Sequence, residues 1–129
     1  MGSHPVNLGL RFALEMAALL ALGVWGSRQG EGVLSVVMAL GVPIFAAALW
    51  GTFAVPGDPS RSGKAPVPVA GIIRLVYEIV FFGFATWALF SIGSAALGLA
   101  FGVVVIIHYI LSYDRVKWLV RQQRQNSLR

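Results

Sequence analysis

Arg11-Phe12-Ala13-Leu14-Glu15 and Arg74-Leu75-Val76-Tyr77-Glu78 share one spacing, and each supplies the only charges inside a long apolar run. An ionised side chain in such a run is expensive, so it needs a partner or a purpose. On a helix, a spacing of four places Arg and Glu on one face, a turn apart. The same chain offset separates the two arginines and the two glutamates, which predicts two related helical hairpins.

The composition around the motif decides the class. Of 129 residues, 57% are hydrophobic and 12% charged, with a mean hydropathy of +0.78. A soluble domain of this size would lack the polar residues to cover its surface. Four apolar stretches have the length a bilayer asks for, so the expected fold is an all-α membrane protein with four transmembrane helices bundled as two hairpins. Residues 5–55 form the first hairpin, with spans over 8–26 and 33–55. Residues 56–68 are a cytoplasmic linker. Residues 69–113 form the second hairpin, with spans over 69–90 and 92–113, and 114–129 are a basic tail. Met1 to His4 reads as a vector-derived scar outside the fold.

Charge sets the orientation. Of the ten Lys and Arg residues, all but Arg28 lie at the start of the first run, in or beside the linker, or in the tail. This is the positive-inside pattern, and it places both termini and the linker in the cytoplasm. The same clustering argues against nucleic acid as the partner, despite a pI near 10.5, because the cations mark membrane topology instead of tracking phosphates. The chain has no cysteine, which excludes disulfides, zinc-thiolate sites and thiol redox chemistry. No cleavable signal is expected, since the first run is too long for a signal core and no basic segment precedes it.

Along the chain, Leu8–Gly26 makes about 28 Å of helix, and Trp25 marks its outer end. Pro43 interrupts the second run and frees the carbonyl of Ala39, which predicts a kink. Trp50 and Phe53 form the inner aromatic belt, and Trp87 sits near the outer end of the third run. Ser60 to Lys64 lacks the order of a phosphate loop, so the linker reads as a mobile connector. Gly98 and Gly102 form a small-xxx-small face for close helix approach, either inside the bundle or at a dimer seam. The tail prolongs the last helix along the membrane surface and anchors topology, its cations facing anionic headgroups.

At Leu10-Arg11-Phe12-x-Leu14-Glu15, Trp50-Gly51-Thr52-Phe53-x-x-Pro56 and Arg74-Leu75-x-x-Glu78, the chain resembles the YrdB-like family of small bacterial four-span membrane proteins. The resemblance covers nearly the whole chain and implies a fold and a bacterial cytoplasmic-membrane location. The family's activity is uncharacterised. The linker after Phe53 is longer than the family pattern, so Arg61 and Lys64 take no role from it.

With this topology the polar groups fall at one depth. They form a ring of Arg11, Glu15, Trp50, Thr52, Arg74, Glu78, His108 and Asp114. An Arg one turn N-terminal to a Glu is the poorer order for an intrahelical pair and opposes the helix dipole. The expectation is therefore a crosswise clasp, Arg11 with Glu78 and Arg74 with Glu15, about a pseudo-two-fold axis. Two uses of the ring stand open. It locks the bundle in a structural or accessory role, or Glu15, Glu78 and His108 form the polar site of a small transporter or ligand-binding protein. Transport through so small a bundle would need a homodimer. No catalytic constellation, cofactor anchor or metal cage is expected, because no nucleophile has a base and the arginines would repel a cation. The expected partners are membrane lipids, with a small-molecule or ion ligand unidentified.

Overall fold

The computed structural model describes residues 4–56, 58 and 66–127, with side chains described as far as Arg121. Met1 to Ser3 and most of the linker, including Ser60 to Lys64, lie outside the described residues. The fold is all-α, with five helices: α1 (Pro5–Ser27), α2 (Val33–Thr52), α3 (Gly71–Ser91), α4 (Ala95–Leu111) and α5 (Tyr113–Ser127). Helices α1, α2 and α3 are each long and apolar enough to cross a membrane, and α4 with α5 makes a fourth candidate when counted as one bent span.

Helix α1 is the central element, packing against α2, α3 and α4. Leu14, Ala18 and Leu22 recur at one-turn intervals on its buried face and meet Phe81, Phe82, Ala85 and Ala88 of α3 and Phe101 of α4. Small alternating with large side chains lets these helices approach closely, which is how apolar helices associate where lipid is as apolar as the core. Trp25 packs edge-on against Phe84 and Trp87 at the end of α1 away from Arg11. There, Arg28 Nη1 donates to the Ile92 carbonyl at 3.0 Å, tying the α1–α2 turn to the end of α3. The α1–α2 and α3–α4 turns each contain a glycine at positive φ, Gly32 and Gly93, where a side chain would be strained.

Helix α2 has no buried residue and lies mainly against α1, so the described helices form a packed group of α1, α3 and α4 with α2 flanking it. Pro43 lies inside an unbroken α2. The carbonyl of Ala39, freed by that proline, faces Gly23, and Gly26 lies against the Met38 carbonyl. The Gly98–Gly102 face is used internally: Gly98 abuts the Phe90 ring and Gly102 the Thr86 methyl.

Two boundaries differ from expectation. Helix α2 stops at Thr52, because Phe53–Ala54 turn extended and pair in parallel with Val67–Pro68 across the linker. The last run is not one straight span: it bends by 67° at Ser112, and α5 folds back under α3. Close packing and charge hold that bend. Gly71 seats against the backbone of Leu119, Val55, Leu75 and Leu119 form a second small core, and Arg115 enters the charged cluster described below.

A methyl at Gly71 would run into the Leu119 carbonyl, whereas Gly83 has no atom within 4 Å of the same position. Gly71→Ala should therefore destabilise the protein by about 1–3 kcal/mol through overpacking. Gly83→Ala should leave the thermal midpoint unchanged or raise it, since Ala is the better helix former. Melting of both variants in detergent checks the pair, and equal midpoints would mean that α5 does not sit on α3.

Candidate functional site

The site is built on the first two turns of α3. Glu78 is fully buried, with 0% of its side chain exposed. Its Oε1 accepts from the Tyr109 hydroxyl at 2.7 Å and Arg115 Nη1 at 2.8 Å. Its Oε2 accepts from Arg115 Nη2 at 2.7 Å, Arg74 Nε at 2.9 Å and Arg11 Nη2 at 2.9 Å. A carboxylate offers about four lone-pair positions. Every one is engaged, and by donors only, so Glu78 sits here as an ionised acceptor with nothing left for a metal or a substrate.

Arg74 does a second task. Its Nη1 donates to the carbonyls of Trp50 and Phe53 at 2.6 and 2.7 Å. These lie at the C-terminal end of α2, where carbonyls lack intrahelical donors and the dipole is negative, so a guanidinium is the natural cap. Its carbon also lies 4.3 Å from the centroid of the Trp50 ring, and that of Arg11 lies 5.1 Å away. One indole therefore serves both arginines of the repeated motif as a cation–π partner. Tyr77 donates to the Ala46 carbonyl at 2.9 Å, a further bond from α3 to α2.

Arg115 joins three parts of the chain. Besides its two bonds to Glu78, its Nε and Nη2 donate to Asp58 at 2.8 and 2.6 Å, and both side chains are 1% exposed. The planar five-donor fork of arginine suits this double engagement in a way lysine would not. Asp58 belongs to the linker and Arg115 to α5, so the bond draws both against the base of α3. With Arg11, Arg74 and Arg115 set against Glu15, Glu78 and Asp58, the guanidinium and carboxylate charges balance.

A neutral network flanks this cluster. Asn7, one turn before Arg11, donates from Nδ2 to Ser112 Oγ at 2.6 Å. Its Oδ1 lies 3.0 Å from His108 Nδ1. That arrangement puts the imidazole proton on Nδ1 and leaves Nε2 with a lone pair. His108 Nε2 and Arg11 Nη1 are buried with no hydrogen-bond partner among the described residues.

The structure brings together Arg11, Glu15, Trp50, Arg74 and Glu78 and sets His108 beside them. The crosswise clasp forms on one side only. Arg11 reaches Glu78, but no Arg74–Glu15 ion pair occurs among the described residues. Arg74 takes Glu78 on its own helix, and Glu15, 19% exposed, is paired with Arg11 at 3.2 Å. Glu78 wins because Arg115 and Tyr109 hold it in place on α3, leaving the symmetry broken. Thr52 is half-buried at the end of α2, and Asp114 is exposed at the start of α5. Five residues of the site fall outside the ring expected from the sequence: Asn7, Asp58, Tyr109, Ser112 and Arg115. Their surroundings in the chain point to a solvated linker for Asp58 and a topology anchor for Arg115, yet both are buried. The available signal was that Arg115 lies one to two turns past His108, at the end of the span that delivers it to Glu78.

A family model described as "Protein of unknown function (DUF2568)" matches residues 9–106. The matched residues include Arg11, Glu15, Trp50, Asp58, Arg74 and Glu78, while His108 and Arg115 lie beyond them. The chain is also 43% identical over 119 residues to the uncharacterised protein YrdB of Bacillus subtilis (strain 168), across 92% of this chain and 97% of that one. No solved structure matches.

Because Glu78 anchors three arginines and Glu15 only one, Glu78→Gln should cost on the order of 3–5 kcal/mol of stability, the range for breaking a buried pair. Glu15→Gln should cost no more than about 1 kcal/mol. Arg115→Met should be as damaging as Glu78→Gln, and adding Asp58→Asn to it should cost less than Asp58→Asn alone, since the two residues couple. Thermal unfolding of the five variants reads this out. Additive losses for Asp58 and Arg115 would show that the two do not pair.

Proposed function

The chain belongs to the DUF2568, YrdB-like family, whose activity has to be read from the chain itself, and we propose that it is a four-span, non-enzymatic protein of the bacterial cytoplasmic membrane in which the buried charges lock the bundle. In this reading both termini and the linker face the cytoplasm. The lock gathers α1, the end of α2, α3, the linker and α5 at one membrane surface, making a fixed cytoplasmic base suited to an accessory role. The observation that carries it is the saturation of Glu78, whose oxygens are consumed by Arg11, Arg74, Arg115 and Tyr109. A residue meant to bind a substrate or pass a proton would keep an open position.

A second reading rests on a different observation. Arg11 Nη1 and His108 Nε2, without a hydrogen-bond partner among the described residues, would suit a small polar ligand that accepts from one and donates to the other, as in a ligand-binding or transport protein. Such a ligand would stabilise the folded state by mass action.

Two measurements test these proposals. With no native cysteine in the chain, single cysteines at Glu31 and Asn126 should show opposite labelling by a membrane-impermeant thiol reagent in intact cells. Glu31→Cys should react from outside, and reaction at Asn126→Cys instead would reverse the orientation. Thermal melting against a panel of small hydroxy acids, phosphates and amino acids should show no shift above about 1 °C if the cluster is a lock. A compound that raises the midpoint for the native chain but not for His108→Phe would replace the lock with the ligand-site reading.

A further inference from the structure

On the side of α3 and α4 away from α1, the two helices leave a groove of about 720 Å³ that runs down to α5, walled by Ile79, Phe82, Ile106 and Ile110 and narrowest in side chains at Gly83 and Gly102. Its few polar atoms are already occupied. Thr86 Oγ1 donates to the Phe82 carbonyl at 2.8 Å, and the Tyr109 hydroxyl is bound to Glu78, so both residues present only carbon to the groove. From Leu75 to Thr86, its limits on α3, helical rise gives a length of roughly 17 Å. That is close to one leaflet of a hydrocarbon core about 30 Å thick.

The lower mouth has a different character. Tyr113 and Val116 of α5 close it, and the Lys117 ammonium lies 4.7 Å from the centroid of the Tyr113 ring. Arg121, one turn further on, is exposed. Exposed Tyr113 and Val120 share this side of α5 with the two cations, the pattern of a helix lying in the headgroup layer. We propose that this groove binds one acyl chain of an anionic phospholipid, whose phosphate is held by Lys117 and Arg121 at the mouth.

A second copy of the chain is the less suitable occupant on charge grounds. Two copies inserted with the same orientation and paired through this groove by a two-fold axis would set each Lys117 and Arg121 toward their counterparts. A phosphate at the same place removes that repulsion, and basic residues at a membrane surface attract anionic lipid individually.

The test uses the whole chain, stripped of lipid in detergent and titrated with phosphatidylglycerol or phosphatidylcholine of identical chains, with binding read by native mass spectrometry. The expected result is one phosphatidylglycerol retained per protein, with a preference on the order of tenfold over phosphatidylcholine. Lys117→Gln with Arg121→Gln, both on exposed side chains, should abolish the preference while leaving weak retention of either lipid. Gly83→Phe, at a position with open space around it, should fill the groove and lower retention of both without lowering the thermal midpoint. Equal retention of the two lipids by the native chain would overturn the proposal, as would retention that survives Gly83→Phe. A dimer that Gly83→Phe dissociates would overturn it in favour of a second copy.

Discussion

The bond network around the Glu78 carboxylate is the constraint on which the rest of the arrangement depends. A lone carboxylate at 0% exposure in a low-dielectric bundle would be prohibitive, and a single arginine would repay the cost only in part. Glu78 instead collects donors from every direction: Arg74 on its own helix, Arg11 from α1, Tyr109 from α4 and Arg115 from α5. Each donor can reach it only if its own element is in place. Four helices therefore converge on one carboxylate, whose donors come from α1, α3, α4 and α5.

This dependence explains the bend after α4. A straight continuation would carry Arg115 past the bundle, away from Glu78 and Asp58. By turning at Ser112, the chain returns Arg115 to the base of α3 and seats Leu119 on Gly71, where the absence of a side chain makes room. Asp58 follows from the same step. A third carboxylate balances the cluster, because Arg11, Arg74 and Arg115 together outweigh Glu15 and Glu78, and Asp58 provides it.

The all-α class, the long apolar helices and the meeting of the two Arg-x3-Glu motifs could be read from the chain, because each rests on local composition or spacing. The partner of each charge could not. Crosswise pairing requires two copies of one motif to live in equivalent surroundings, and that condition fails at Arg115, which bonds Glu78 of the second copy. Asp58 sits in a stretch rich in Pro, Gly and Ser, whose composition speaks for solvent. Arg115 sits among tail cations whose pattern speaks for topology. Only a fold that brings residues 58, 78 and 115 together shows that these two serve the interior.

Helix α2 shows what holds an element that the network touches only at its end. It buries no side chain, and in lipid its apolar surface gains little from meeting another helix. What remains is close backbone approach and polar closure. Gly23 and Gly26 let α1 come against the carbonyls of Ala39 and Met38. Pro43 contributes directly, since without it the Ala39 carbonyl would be engaged within α2. At its C-terminal end Arg74 takes the terminal carbonyls, and Trp50 lies against both motif arginines. Helix α2 is thus held beside α1 by a proline, two glycines, the Tyr77 hydroxyl and a borrowed guanidinium, with Val42, Ala46 and Trp50 packed partly buried against the core.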